Sequence, residues 1–137
     1  YVQIKIMKWF IKHFSKKYPN WSKAKIIKEV EKYVAPSDGK YASGHMTGGA
    51  VDLRLLKNGK KVPMKSSKLT YQENAKSFQP KLPKYIQKNR EVMFTALKKA
   101  GLSNYPKEYW HWSYGDIWWA KRNKKRTAIY GIIKDIS

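Results

Sequence analysis

A chain of 137 residues is of single-domain size and can bury a core, and its 42% apolar content favours folding over disorder. With no cysteine, disulfides, thiolate metal sites and a cysteine nucleophile are excluded, and no apolar run reaches the roughly 20 residues of a membrane-spanning helix. Lys and Arg outnumber Asp and Glu by 30 to 9, a net charge of +21 that attracts polyanions such as an anionic wall polymer. Arginine, the residue suited to bidentate base contacts, is confined to Arg54, Arg90, Arg122 and Arg126, so no specific nucleic acid is expected as a partner. A solvated lysine surface is the plainer reading of the charge.

In chain order, residues 2–17 are predicted as a helix. Val2, Ile6, Trp9, Phe10 and Phe14 recur near a 3.6-residue period, with lysines elsewhere on the cylinder. His13, between Phe10 and Phe14, reads as a partly buried structural residue. Pro19 and Asn20 end this helix. A second begins at Ser22, a good N-cap, and buries Ile26, Ile27, Val30 and Val34. Pro36 to Gly44 is loop-like. Ala50 to Leu56 alternates as a strand, Asn58-Gly59 is a type I′ hairpin signal, and Lys61 to Met64 reads as the returning strand.

Residues 65–83 look irregular. A third helix is predicted over 84–100, with Ile86, Val92, Met93, Ala96 and Leu97 on its apolar face and Gly101 as its stop. The aromatic stretch from Tyr109 to Trp119 reads as one or two short strands, and a last strand is predicted through Ala128 to Ile133. Helices mixed with short antiparallel strands define an α+β domain.

Two segments carry chemistry. The first is Ser43-Gly44-His45-Met46-Thr47-Gly48-Gly49-Ala50-Val51-Asp52, in which Asp52 interrupts an apolar strand. A carboxylate there is costly unless a cation or strong donors meet it. The second is Glu108-Tyr109-Trp110-His111-Trp112. In a regular strand His111 and Tyr109 share one face and Glu108 the other, so Glu108 needs a bulge near Tyr109 to reach His111. Read separately, each segment also suits a structural role: a turn-capping aspartate, and a histidine in an aromatic core. Together, two imidazoles and one carboxylate suit a catalytic zinc that keeps a position for water, with Glu108 as the non-ligating proton carrier.

SGHMTGGAVD and EYWH match the SxHxxGxAxD and ExWH patterns of the D-alanyl-D-alanine dipeptidase family of zinc D,D-peptidases, and the chain resembles that family through most of its length. The resemblance implies one Zn2+ held by His45, Asp52 and His111, Glu108 as general acid/base, and a central antiparallel sheet bearing the metal with helices packed on it. It implies hydrolysis of the D-Ala-D-Ala dipeptide in peptidoglycan precursor metabolism. The alternatives are a D,D-carboxypeptidase trimming stem peptides and a catalytically weakened polyanion-binding relative. Tyr109 after Glu108 favours the dipeptidase branch. Ser43 is a candidate substrate contact and equally a turn cap.

Two departures stand out. The family's oxyanion-stabilising arginine, upstream of the first helix, has no equivalent here, and Arg54 is a poor substitute. The family's ammonium-binding aspartate after the Pro-Met pair is also missing, since Lys65-Ser66-Ser67-Lys68 follows Met64. One catalytic domain over 1–137, short of its N-terminal portion, is the expectation.

Overall fold

The computed structural model describes residues 2–34 and 43–133. Helix α1 (Val2–Lys17) and helix α2 (Lys23–Val30) form where the sequence predicts them. Ser22 caps α2 by accepting from Lys25 N at 3.3 Å. Met7, Phe10, Ile11 and Phe14 of α1 pack on Ile26, Val30 and Val34, so the pair closes over a core of its own. His13 is not part of it. The side chain is exposed and stacks on Trp9, 5.2 Å between ring centres, because its position on the cylinder falls beside the buried stripe. Most of the predicted Pro36–Gly44 loop lies outside the described residues.

The second half is built on a three-stranded antiparallel sheet in the order β1-β5-β4, comprising β1 (Ala50–Asp52), β4 (Ser103–Tyr105) and β5 (Glu108–Ser113). With the helices around it, the architecture is α+β as predicted. The strand expected over Ala50–Leu56 is two pieces. β1 stops at Asp52, and β2 (Leu56–Lys57) turns through Asn58 and Gly59, both at positive φ, into β3 (Lys60–Lys61). Left-handed φ at both turn positions is the type I′ geometry that Asn-Gly favours. The returning strand is shorter than predicted, and Pro63, which has no N–H, cannot extend its ladder.

Helix α3 (Tyr71–Ala75) lies inside the stretch read as irregular. A reciprocal capping box starts it: Thr70 accepts from Glu73 N, and Glu73 accepts from Thr70 N. Helix α4 (Lys84–Lys99) buries Ile86, Arg90 and Met93, while Val92, predicted on the apolar face, is exposed. Arg90 donates to the carbonyls of Met64, Asn74 and Lys76 and stacks over the Tyr109 ring at 3.9 Å. It thereby ties the segment after β3 to α4 and β5. Met64, Met93 and Tyr109 form the second core, with Leu55, Val62, Phe94, Leu97 and Trp110 against it.

The aromatic stretch divides. Trp112 is fully buried in β5, whereas Trp118 and Trp119 lie on helix α5 (Ile117–Arg122). Asp116 caps that helix by accepting from Trp119 N, which turns the chain out of the sheet. Residues 128–133 form no strand. Ile129 and Tyr130 donate to Gly115 O, and Ile133 donates to Met46 O, single contacts in place of a ladder. Among the described residues, no helix is long and apolar enough to cross a membrane.

Candidate metal centre

His45 sits on a 3-10 helix, Gly44–Thr47, that leads into β1. Ser43 caps this turn, accepting from His45 N at 3.4 Å, and is buried. Thr47 Oγ1 donates to Gly44 O at 2.7 Å and accepts from Gly49 N at 3.0 Å, which fixes the approach to the strand. Gly44 has no room for a side chain, because a Cβ there would overlap the Asp116 carboxylate and press on Ala50. The glycine therefore lets the His45 turn lie against the start of α5.

Asp52 pairs directly with His111 across the β1–β5 ladder. His111 Nδ1 is 3.1 Å from Asp52 Oδ1, and His45 Nε2 is 3.3 Å from the same oxygen. The two imidazole rings meet edge to face with centres 4.6 Å apart. His45 Nδ1 faces Ala50 O at 3.2 Å and can donate to it, so that Nε2, on the Asp52 side, donates to the carboxylate when the ring is protonated and offers its lone pair to a metal when the ring is neutral. Asp52 is 52% exposed and His111 13%, so the cluster has an open side and a buried floor.

Glu108 joins from the same strand. The β4–β5 register shifts between Asn104, opposite Trp112, and Tyr105, opposite Glu108. Extra residues of β5 are accommodated there, and the bulge brings Glu108 Oε2 to 4.0 Å from His111 Nδ1. This is the bulge near Tyr109 that regular alternation required. Tyr109 instead points into the second core, away from His111. The Asn104 amide fills the bulge, with its Nδ2 3.1 Å from Glu108 O, 2.9 Å from His111 O and 3.4 Å from Tyr109 O. Ser77 Oγ in turn contacts Asn104 Oδ1. Neither Asn104 nor Ser77 was singled out from sequence.

Charge follows this geometry. The hydrogen bond to Asp52 raises the His45 pKa above its ordinary value, against the opposing effect of burial. Burial pushes the Asp52 carboxyl up, but hydrogen bonds from His111 and His45 outweigh it and hold the group well below the usual carboxylate range. Glu108 moves the other way, because burial and the nearby Asp52 charge raise it against the pull of the histidines. One carboxylate is thus kept ionised and its neighbour is made more basic.

The donor atoms of His45, Asp52 and His111 all lie within 4.8 Å of one another, close enough to hold a metal ion. Donors about 2.0–2.1 Å from a tetrahedral zinc stand roughly 3.3 Å apart, which the two contacts to Asp52 approach. Arg54 is exposed and Ser43 is engaged as a cap.

Residues 13–127 match the family model described as D-ala-D-ala dipeptidase. The chain belongs to that family. The D-alanyl-D-alanine dipeptidase of Synechocystis is 34% identical over 108 residues, covering 66% of this chain and 44% of the relative. The chain therefore spans less than half the length of that protein. No solved structure matches the chain. The family is one of metallopeptidases, in keeping with a cluster able to hold a metal.

Proposed function

We propose that the protein is a zinc peptidase that hydrolyses the D-Ala-D-Ala peptide bond, with His45, Asp52 and His111 as the metal ligands and Glu108 as the general acid/base. The observation that carries the reading is the convergence of His45 Nε2 and His111 Nδ1 on Asp52 Oδ1, with Glu108 Oε2 4.0 Å from His111, in a member of the D-ala-D-ala dipeptidase family.

A zinc ion bound by these three residues supplies Lewis acidity toward the scissile carbonyl and toward a water molecule. The protein's own groups do the rest. Ala50 O holds His45 in the tautomer that presents Nε2. Asp52, ionised across the neutral range, contributes the one negative charge among the ligands. Glu108 accepts a proton from the attacking water and delivers it to the leaving amine, and its raised pKa suits both halves of that transfer.

The reading is tested by assaying the zinc-loaded protein with D-Ala-D-Ala and by repeating the assay with Glu108→Ala. The wild type is expected to release D-alanine. The variant should keep its zinc and lose turnover by roughly 100- to 10,000-fold. Undiminished turnover in the variant would remove Glu108 from the mechanism. Cleavage of N-blocked or longer peptides in preference to the free dipeptide would move the assignment to a D,D-carboxypeptidase.

A further inference from the structure

Asp116 is fully buried, and the cap on α5 accounts for only one of its carboxylate oxygens. Oδ1 accepts from Trp119 N and starts the helix. Oδ2 has no hydrogen-bond partner, the one such buried side-chain oxygen or nitrogen among the described residues. A cap needs a single acceptor, and Ser22 and Thr70 start α2 and α3 with one hydroxyl each. Burying a second, unpaired carboxylate oxygen is costly, so capping alone does not account for the side chain at 116.

What Oδ2 meets is the turn that carries His45. A Cβ at Gly44 would overlap Oδ2 and come within 2.8 Å of the Ala50 Cβ, so the Gly44 backbone is seated between the Asp116 carboxylate and the first residue of β1. The far end of the turn rests on the same segment. Tyr114 N donates to Gly49 O at 2.8 Å, and a Cβ at Gly49 would stand 2.7 Å from Tyr114 O. Between Tyr114 and Asp116, the Gly115 carbonyl accepts from Ile129 N at 2.7 Å and from Tyr130 N at 2.9 Å, which pins the segment from behind. His45 follows Gly44, and both of its ring nitrogens meet groups of β1: Nδ1 lies 3.2 Å from Ala50 O, and Nε2 lies 3.3 Å from Asp52 Oδ1. A shift of Gly44 relative to Ala50 therefore changes both distances.

We propose that Asp116 is a positioning residue for the metal centre. Its carboxylate, fixed at Oδ1 by the start of α5, holds Gly44 against Ala50 with Oδ2 and so sets where His45 Nε2 stands. It acts through the backbone of the His45 turn and is not itself a ligand. The inference rests on the zinc reading above for the identity of the ligands, whereas the contact it describes belongs to the metal-free protein as well.

The test compares wild type with Asp116→Asn, Asp116→Ser and Gly44→Ala, by zinc competition titration and by NMR of the metal-free protein. Asparagine keeps both the cap and a group of the same size against Gly44, whereas serine keeps the cap alone. Asp116→Asn should bind zinc nearly as tightly as wild type. Asp116→Ser should stay folded, as thermal denaturation checks, and raise the zinc Kd by about 10- to 100-fold, the usual cost of losing a group that orients a ligand. Gly44→Ala should weaken zinc binding in wild type and do less harm in Asp116→Ser, where the carboxylate no longer occupies the space. In the metal-free protein the nuclear Overhauser contact between the His45 and His111 rings, whose centres are 4.6 Å apart, should persist in Asp116→Asn and weaken in Asp116→Ser. If wild type binds no zinc, the hydrolase reading fails, and the NMR contact still decides the positioning. Wild-type zinc affinity and ring contact in a folded Asp116→Ser protein overturn the inference. So does an Asp116→Asn variant that fails as badly as serine, since charge and not contact would then carry the effect. Wild-type zinc affinity in Gly44→Ala overturns it whether or not the serine variant folds.

Discussion

Replacing Asn104 by alanine separates the fold from the chemistry built on it. The Nδ2 of this residue lies within hydrogen-bonding reach of the carbonyls of Glu108, Tyr109 and His111. It has two hydrogens for the three acceptors, so two full bonds are its capacity. Losing both, at about 1 kcal/mol each with some added cost for carbonyls left partly buried, gives about 2–3 kcal/mol of destabilisation. For a domain of this size that is a fall in Tm of roughly 6–12 °C.

The effect on activity should exceed the effect on stability. A bulge without its central donor can relax, and a displacement of about 1 Å in a catalytic group costs on the order of 100-fold in rate. The assay is kcat at a temperature where the variant is fully folded, alongside zinc stoichiometry. Retained zinc with kcat down by about 100-fold is the predicted outcome. Asn104→Asp fills the same space but presents no donor to the carbonyls when ionised, so it should fail similarly. Wild-type kcat in a folded Asn104→Ala protein would refute the reasoning, since the bulge would then hold Glu108 without its filler.

pH should act on metal binding and on metal-free stability with opposite signs. Metal binding requires neutral imidazoles, and Asp52 raises the His45 pKa above the ordinary 6.5, so zinc affinity measured by competition titration should begin to fall above that pH as acid is added. In the metal-free protein the stabilisation from protonated His45 is fully present below the unfolded pKa and is lost as pH rises through the raised folded value, so denaturation midpoints should drop slightly across that window. Arg90→Lys should lower stability by about 3 kcal/mol in chemical denaturation, because an ammonium cannot reproduce a planar fork that serves the carbonyls of Met64, Asn74 and Lys76. A loss below about 1 kcal/mol would show that water replaces those bonds.

The candidate site was legible because its chemistry is concentrated in two short segments of unusual composition. His45 and Asp52 lie seven positions apart on either side of a glycine-rich turn, and Glu108 and His111 lie three apart. The need for a bulge followed from alternation alone, and the register shift opposite Asn104–Tyr105 meets it. What holds the bulge was not legible, since Asn104 and Ser77 meet only through the tertiary fold. The burial of Arg90 is illegible in sequence for a similar reason, its partners being carbonyls 14 to 26 residues away.

Other misses had a readable signal. Thr70-Tyr71-Gln72-Glu73 is a capping box that starts a helix inside a stretch whose overall composition reads as irregular. Asp116 ahead of Ile117 is an N-cap that outweighs the strand preference of Trp118 and Trp119. Ala128 to Ile133 has β-branched composition without a ladder to join, because Gly115 and Met46 offer only isolated carbonyls.

Zinc K-edge X-ray absorption on the protein loaded with one equivalent of zinc tests the central assignment most directly. The account predicts first-shell nitrogen and oxygen scatterers at about 2.0–2.1 Å, with the outer-shell pattern of two imidazoles, reduced to one imidazole in His45→Ala and in His111→Ala. A spectrum unchanged by either substitution, or one without imidazole features, would contradict it.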